Sequence, residues 1–166
     1  MKHHWTARWT GLTTTAALLL VQPLFAQEPV NHDYWSAADL DGYAESLAER
    51  VGTNNSAVLD RIIDHGHYFA AIVHREPGPG FSESHRDWAD VYFISSGGGT
   101  LIVGGTIPDG TETTPGEVRG SSIEGGTRQR LAEGDVLHIP AGTPHHVIVE
   151  SGGQITYFIF KIQNTQ

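Results

Sequence analysis

In residues 36–51 the apolar side chains Leu40, Tyr43, Leu47 and Val51 recur at the spacing of one helix face, which predicts an amphipathic helix. Ser36, followed three residues later by Asp39, imitates a capping box, and Gly52-Thr53-Asn54-Asn55 ends the helical pattern. From Ser56 onward the chain breaks into short apolar runs divided by turn residues: 58–63, 67–75, 91–94, 100–103, 136–139, 146–150 and 155–162. The first two read as a hairpin across Asp64-His65-Gly66, and Glu76-Pro77-Gly78-Pro79-Gly80 stops the second. Ser95-Ser96-Gly97-Gly98-Gly99 reads as the turn of another hairpin, and 106–126 as a long polar, Gly-rich loop holding one short strand at 117–119. Many short strands with no helices between them predict a β-sandwich or barrel of the jelly-roll kind. No repeat of solenoid or propeller period is present.

Composition sharpens this reading. Twenty Gly, eight Pro and 17% charged residues fit a turn-rich β protein better than a helical bundle or a disordered chain. The first 26 residues read as a secretory signal: Lys2 and Arg8, then a mostly apolar stretch centred on Ala16-Ala17-Leu18-Leu19-Leu20-Val21, then a cleavage position near Ala26. A membrane anchor is the alternative, but the run falls short of the roughly 18 clean apolar residues of a spanning helix. The expected organisation is thus a signal peptide at 1–26, a linker and helix at 27–55, and a β-barrel domain at 56–166, periplasmic or secreted. Beyond residue 26, 8 cations face 19 anions, which argues against nucleic acid or an anionic membrane as partner. The chain has no Cys, so disulfides, thiolate catalysis and Cys-ligated metals are excluded.

One segment carries a specific motif. Gly134, Pro140, Gly142 and His145 hold every fixed position of G-x5-P-x-G-x2-H, which resembles the second conserved motif of the cupin superfamily. The spacing has physical content: the glycines and proline bend the chain between strands and deliver His145 toward a barrel mouth. Val149 stands where the family often has Asn. The first cupin motif is present in altered form. Gly97 lies seven residues after Asp90, which places Asp90 at the family's Glu position, His85 at its second His, and Glu83 at its first His. Segments 83–85, 88–92 and 116–126 resemble those of exported, single-domain bacterial cupins of type 2, and the likeness covers residues 56–161.

The resemblance implies a double-stranded β-helix behind one N-terminal amphipathic helix. It also implies a divalent metal held by Glu83, His85, Asp90 and His145. His and carboxylate donors without Cys suit Fe, Mn, Ni, Zn or Cu. Glu83 and His85, two apart on a strand, can face the same way, provided Arg86-Asp87 turns the chain before Asp90. Asp90 is either a ligand or the acceptor that orients His85. A cupin without metal is the other reading, with Glu83 in solvent, Asp90 capping a turn and His145 hydrogen-bonding in a ligand pocket.

Tyr92, His138 and Tyr157 are the candidates for moving substrate protons. Tyr157 and Lys161 share one strand face and Phe158 and Phe160 the other, and alternation alone does not say which face is inner. Arg119 and Glu124 either close over the barrel mouth or form surface ion pairs. His146, His65, His67 and His32 read as surface residues. The implied function is a metal-dependent enzyme acting on a small molecule by oxygenase, isomerase or lyase chemistry. The alternative is a non-catalytic module binding a small ligand, and either form is expected to pair with a second copy.

Overall fold

The computed structural model describes residues 32–52 and 56–164. Residues 34–164 belong to one compact unit. The expected signal peptide lies outside the described residues. Among the described residues no helix is long and apolar enough to cross a membrane.

Helix α1 spans Ala37–Arg50, with Ser36 as its cap. The Asp39 backbone N–H donates to Ser36 Oγ at 3.2 Å and the Ser36 N–H donates to Asp39 Oδ2 at 2.8 Å, so the capping box is closed in both directions. Leu47, on the predicted apolar face, is fully buried. The helix packs against β1 (Ala57–Asp64) and β2 (Tyr68–Arg75). These two strands form the predicted hairpin, where Gly66 takes a positive φ of 76° and donates its N–H to Asp64 Oδ1.

Eight further strands follow: β3 (Ser82–His85), β4 (Trp88–Val103), β5 (Thr111–Thr114), β6 (Glu117–Gly120), β7 (Thr127–Ala132), β8 (Val136–Ile139), β9 (His145–Ile148) and β10 (Ile155–Gln163). Every strand pairing is antiparallel, and the order runs β1-β2-β10-β4-β9-β3-β6-β5, with β7 and β8 also on β4. This is an all-β jelly roll, a double-stranded β-helix with one N-terminal helix.

Strand β4 corrects the sequence reading. Ser95-Ser96-Gly97-Gly98-Gly99 is no hairpin turn; the chain runs through it as one strand of 16 residues. Its first half pairs with β10 and β8, and its second half with β7 and β9. The glycines are needed because neighbouring backbone comes too close for side chains. A Cβ on Gly97 would stand 2.1 Å from the Gln154 carbonyl oxygen, and Cβ atoms on Gly98 and Gly99 would stand 2.7 Å from those of Leu131 and Ile148. The expected long loop is likewise ordered in part as the β5–β6 hairpin, and β7 follows it. Both were hidden from hydropathy because β5 and most of β7 are polar and exposed.

One core joins the two halves. Val73, Tyr92, Ile94, Leu131, Ile139, Val147, Ile155 and Tyr157 belong to a single buried cluster drawn from six strands. Each fully buried aliphatic side chain stabilises the fold by about 1.5–3 kcal/mol. On β10 the inner face carries Tyr157 and Ile159, while Phe160 and Ile162 are exposed on the outer face. Phe93 and Val136, which pair across β4 and β8, are also exposed.

Candidate metal centre and its cavity

The motif turn ties two strands together at the site. Gly134 and Gly142 both adopt positive φ, at 87° and 76°, so the glycine positions of the motif are conformational requirements. The Gly142 N–H donates to the His85 carbonyl at 2.7 Å, and Ser84 Oγ donates to the Gly142 carbonyl at 3.0 Å. The turn that delivers His145 is therefore bonded to the strand that carries His85.

Strand register places the rest. Glu83 faces His145 across β3–β9, His85 faces Glu117 across β3–β6, and Asp90 faces Lys161 across β4–β10. Arg86 and Asp87 form the turn between β3 and β4. One ligand atom from each of Glu83, His85 and His145 lies within 4.8 Å of the others, a group that could hold a metal ion. His145 Nε2 is 3.6 Å from Glu83 Oε1, and His85 Nε2 is 3.8 Å from Glu83 Oε2. Asp90 Oδ2 joins them, 3.4 Å from His145 Nε2 and 3.7 Å from His85 Nε2. Three residues of the sequence-derived ligand set thus form one mutually close group, and the fourth, Asp90, stands beside its two imidazoles.

The imidazoles are oriented from behind. His145 Nδ1 donates to the Thr143 carbonyl at 3.0 Å, which fixes the tautomer and leaves Nε2 as a lone pair. His85 Nδ1 bonds to Glu117 Oε2 at 2.5 Å. Both Nε2 atoms are buried and have no hydrogen-bond partner. Burial would push the Glu83 carboxyl up, but His145 and His85 in their protonated forms, together with Arg75, hold it down at about 2, so it is a carboxylate at neutral pH. Two unpartnered lone pairs beside a buried carboxylate fit a divalent cation.

The centre borders a cavity of about 520 Å³. Tyr92 and Tyr157 line it, stacked with ring centroids 4.7 Å apart. Tyr92 Oη donates to Asp90 Oδ2 at 3.4 Å, and Tyr157 Oη accepts from Arg75 Nε at 2.8 Å. Burial raises both phenol pKa values, that of Tyr92 well above its ordinary value, so both stay protonated. Arg75 is held charged above the ordinary arginine range: burial opposes this, and the Glu83 carboxylate and the hydrogen bond to Tyr157 outweigh it. Lys161 turns inward with Tyr157 and lines the cavity.

Other sequence candidates fall elsewhere. His138 is exposed on β8 and does not line the cavity, because alternation gives the inward positions of that strand to Leu137 and Ile139. His146, read as a surface residue, is instead buried on β9, and burial beside Arg75 lowers its pKa. Arg119 lines the cavity, whereas Glu124 bridges to Thr106 outside it. Glu117 and Arg75 escaped the sequence reading. Arg75 had a signal: it shares strand parity with Phe69, Ala71 and Val73, so a cation sits in an apolar, inward-facing series.

No protein-family model matches the chain, and no curated protein matches it in sequence. Among solved structures it is similar to the DMSP lyase DddQ from Ruegeria pomeroyi, at 18% identity and a TM-score of 0.48, over 68% of this chain and 51% of that one. It is similar to the polyketide cyclase RemF from Streptomyces resistomycificus, at 16% identity and a TM-score of 0.47, over 68% and 69% of the two chains. A Cupin 2 conserved barrel domain protein from Salinispora arenicola matches at 15% identity and a TM-score of 0.45, over 69% and 82%. The chain therefore spans about half the length of the lyase. Cupin barrel proteins are among the structures it resembles, and at these identities the likeness is one of fold.

Proposed function

We propose that this protein is a metal-dependent enzyme of cupin type acting on a small molecule. Glu83, His85 and His145, with Asp90 beside them, would hold one divalent ion of Fe, Mn, Ni or Zn. The observation that carries this is the pair of buried, unpartnered Nε2 atoms converging on a buried carboxylate. A bound ion supplies Lewis-acid or redox chemistry at the cavity wall. The chain's own part is positional. Glu117 and the Thr143 carbonyl aim the two imidazoles, and Glu83 brings negative charge. Tyr157 stays protonated and, accepting from Arg75, keeps its own proton free to donate to a bound substrate, whereas Tyr92 gives its proton to Asp90; neither acts as a base.

Elemental analysis of the purified protein tests the metal, run beside His145→Ala and Glu83→Ala. Near-stoichiometric metal that falls in both variants supports the site. No metal after reconstitution with Fe(II), Mn(II), Ni(II) and Zn(II) would sink it and leave the second reading, a binding module without catalysis. One observation favours that reading: Lys161, the one amine in the cavity wall, is committed to Asp90 at 2.7 Å.

Export and pairing belong to the same proposal. The charged start and apolar run before Ala26 support cleavage and a periplasmic or secreted location. Exposed Phe93, Val136, Phe160 and Ile162 support contact with a second copy. N-terminal sequencing of the exported protein and light scattering test the two.

A further inference from the structure

The charge of the cavity wall is opposite in sense to that of the chain. The sequence has a net charge of −9, yet the wall carries Arg61, Arg75, Arg119 and Lys161 against Glu83 and Glu117. Two of these cations are already neutralised: Arg61 pairs with Asp64 at 2.8 Å and Lys161 with Asp90 at 2.7 Å. Arg75 and Arg119 are different. Their terminal nitrogens stand 3.8 Å and 4.0 Å from the two oxygens of Glu83, too far for hydrogen bonds. Both guanidinium groups also lie against Phe81, Arg119 at 4.4 Å and Arg75 at 5.7 Å from the ring centroid, which holds their forks in place without consuming donors. Phe69 and Trp88, with ring centroids 5.6 Å apart and planes at 56°, add aromatic surface to the same cavity, the Arg61 guanidinium covering one face of Phe69 at 3.9 Å.

We propose that the cavity takes a small organic monocarboxylate with a flat apolar body, its carboxylate held by Arg75 and Arg119 and its body against Phe69, Phe81 and Trp88. The inference rests on the metal reading above, because charge decides it. Without an ion, Arg75 and Arg119 are offset by Glu83 and Glu117. A divalent ion at Glu83, His85 and His145 leaves the wall with an excess of two positive charges, and an anion answers it. Planar forks suit a planar carboxylate through paired hydrogen bonds. Charge alone would also suit a phosphate dianion; the aromatic side chains of Phe69, Phe81 and Trp88 in the same wall are what favour a carboxylate carrying an apolar body. Metal and carboxylate are therefore linked, each raising the affinity for the other by the same factor.

The test is calorimetric titration of the purified full chain, with and without Zn(II), using benzoate and cinnamate, their neutral amides, and inorganic phosphate. The acids are expected to bind at least about tenfold more tightly than their amides, and more tightly with Zn(II) than without. Arg119→Gln, at a half-exposed position, is expected to weaken the acids by about tenfold while metal content and Tm hold. Arg75→Lys, which keeps the buried charge and loses the fork, is expected to weaken the acids to a similar degree, with a lower Tm because the hydrogen bond to Tyr157 goes as well. The inference is overturned if a metal-bearing protein binds acid and amide alike, if phosphate binds as tightly as benzoate, or if Arg119→Gln changes nothing. Should elemental analysis find no metal, the metal reading fails by itself. Arg119-dependent preference for the acids in that protein would still uphold the carboxylate site, and no preference would overturn it.

Discussion

Lys161 sets its ammonium 2.7 Å from Oδ1 of Asp90, its direct partner across the β4–β10 ladder. The side chains are 14% and 1% exposed, so neither charge has water to fall back on. Removing one partner of such a pair leaves an uncompensated buried charge, at a cost of about 3–5 kcal/mol. Lys161→Met is expected to lose that much in urea unfolding of the metal-free protein. Lys161→Met combined with Asp90→Asn is expected to recover at least half, since the orphaned charge is gone. Equal stability of the single and double variants would show that Lys161 is not what neutralises Asp90.

Glu117 does not point into the ligand group, yet its carboxylate holds His85 through Nδ1. A carboxylate behind a ligating imidazole fixes its tautomer and raises its basicity, and losing it typically weakens metal affinity by about 10–100-fold. Glu117→Gln is expected to show that loss in a competition titration with a chelating dye, with the circular dichroism spectrum unchanged. Unchanged affinity would assign Glu117 to surface packing alone.

What could be read from sequence divides along physical lines. The helix was legible because its apolar period and its Ser36–Asp39 cap are both local, and the β1–β2 turn because Asp64 and Gly66 bond to each other. His145 was legible because its motif fixes backbone conformation at Gly134 and Gly142. β7 was not, since Thr127, Arg128, Gln129 and Arg130 are exposed and leave only Leu131 to mark an inner face. The Gly97–Gly99 corner was misread because glycine signals a turn locally, while here its cause is backbone from β7, β9 and the segment before β10. Glu117 and Arg75 reach the site through cross-strand pairing, and strand order is not written in either strand alone.

Gly97 bears two constraints at once, a positive φ of 73° and a carbonyl oxygen 2.1 Å from where its Cβ would be. Gly104 bears only the first, with φ at 79° and open space around it. A non-glycine residue in that region costs about 1 kcal/mol when nothing else clashes. Gly104→Ala is expected to cost about that, and Gly97→Ala at least about 2 kcal/mol more, because the neighbour is backbone and cannot rotate away. Chemical denaturation of the two variants checks this, and equal losses would remove the corner from the explanation of β4.

The acid limb of stability is expected to report on Glu83. Its carboxyl is held at about 2 in the fold, against an ordinary value of 4.5. The folded group ionises more readily than the unfolded one, so its contribution is complete above about pH 4.5 and drains away as the pH falls toward 2. A shift of that size corresponds to about 3 kcal/mol at neutral pH. Other carboxylates titrate in the same window, which makes the comparison with Glu83→Gln the informative one. In the presence of a chelator, the stability difference between parent and variant is expected to shrink by up to about 3 kcal/mol from pH 6 to pH 2. Burial alone would have raised the group and made the difference grow on acidification, so the sign separates the two causes. A gap that stays constant with pH would mean that His145 and Arg75 do not hold the Glu83 carboxylate in its charged form.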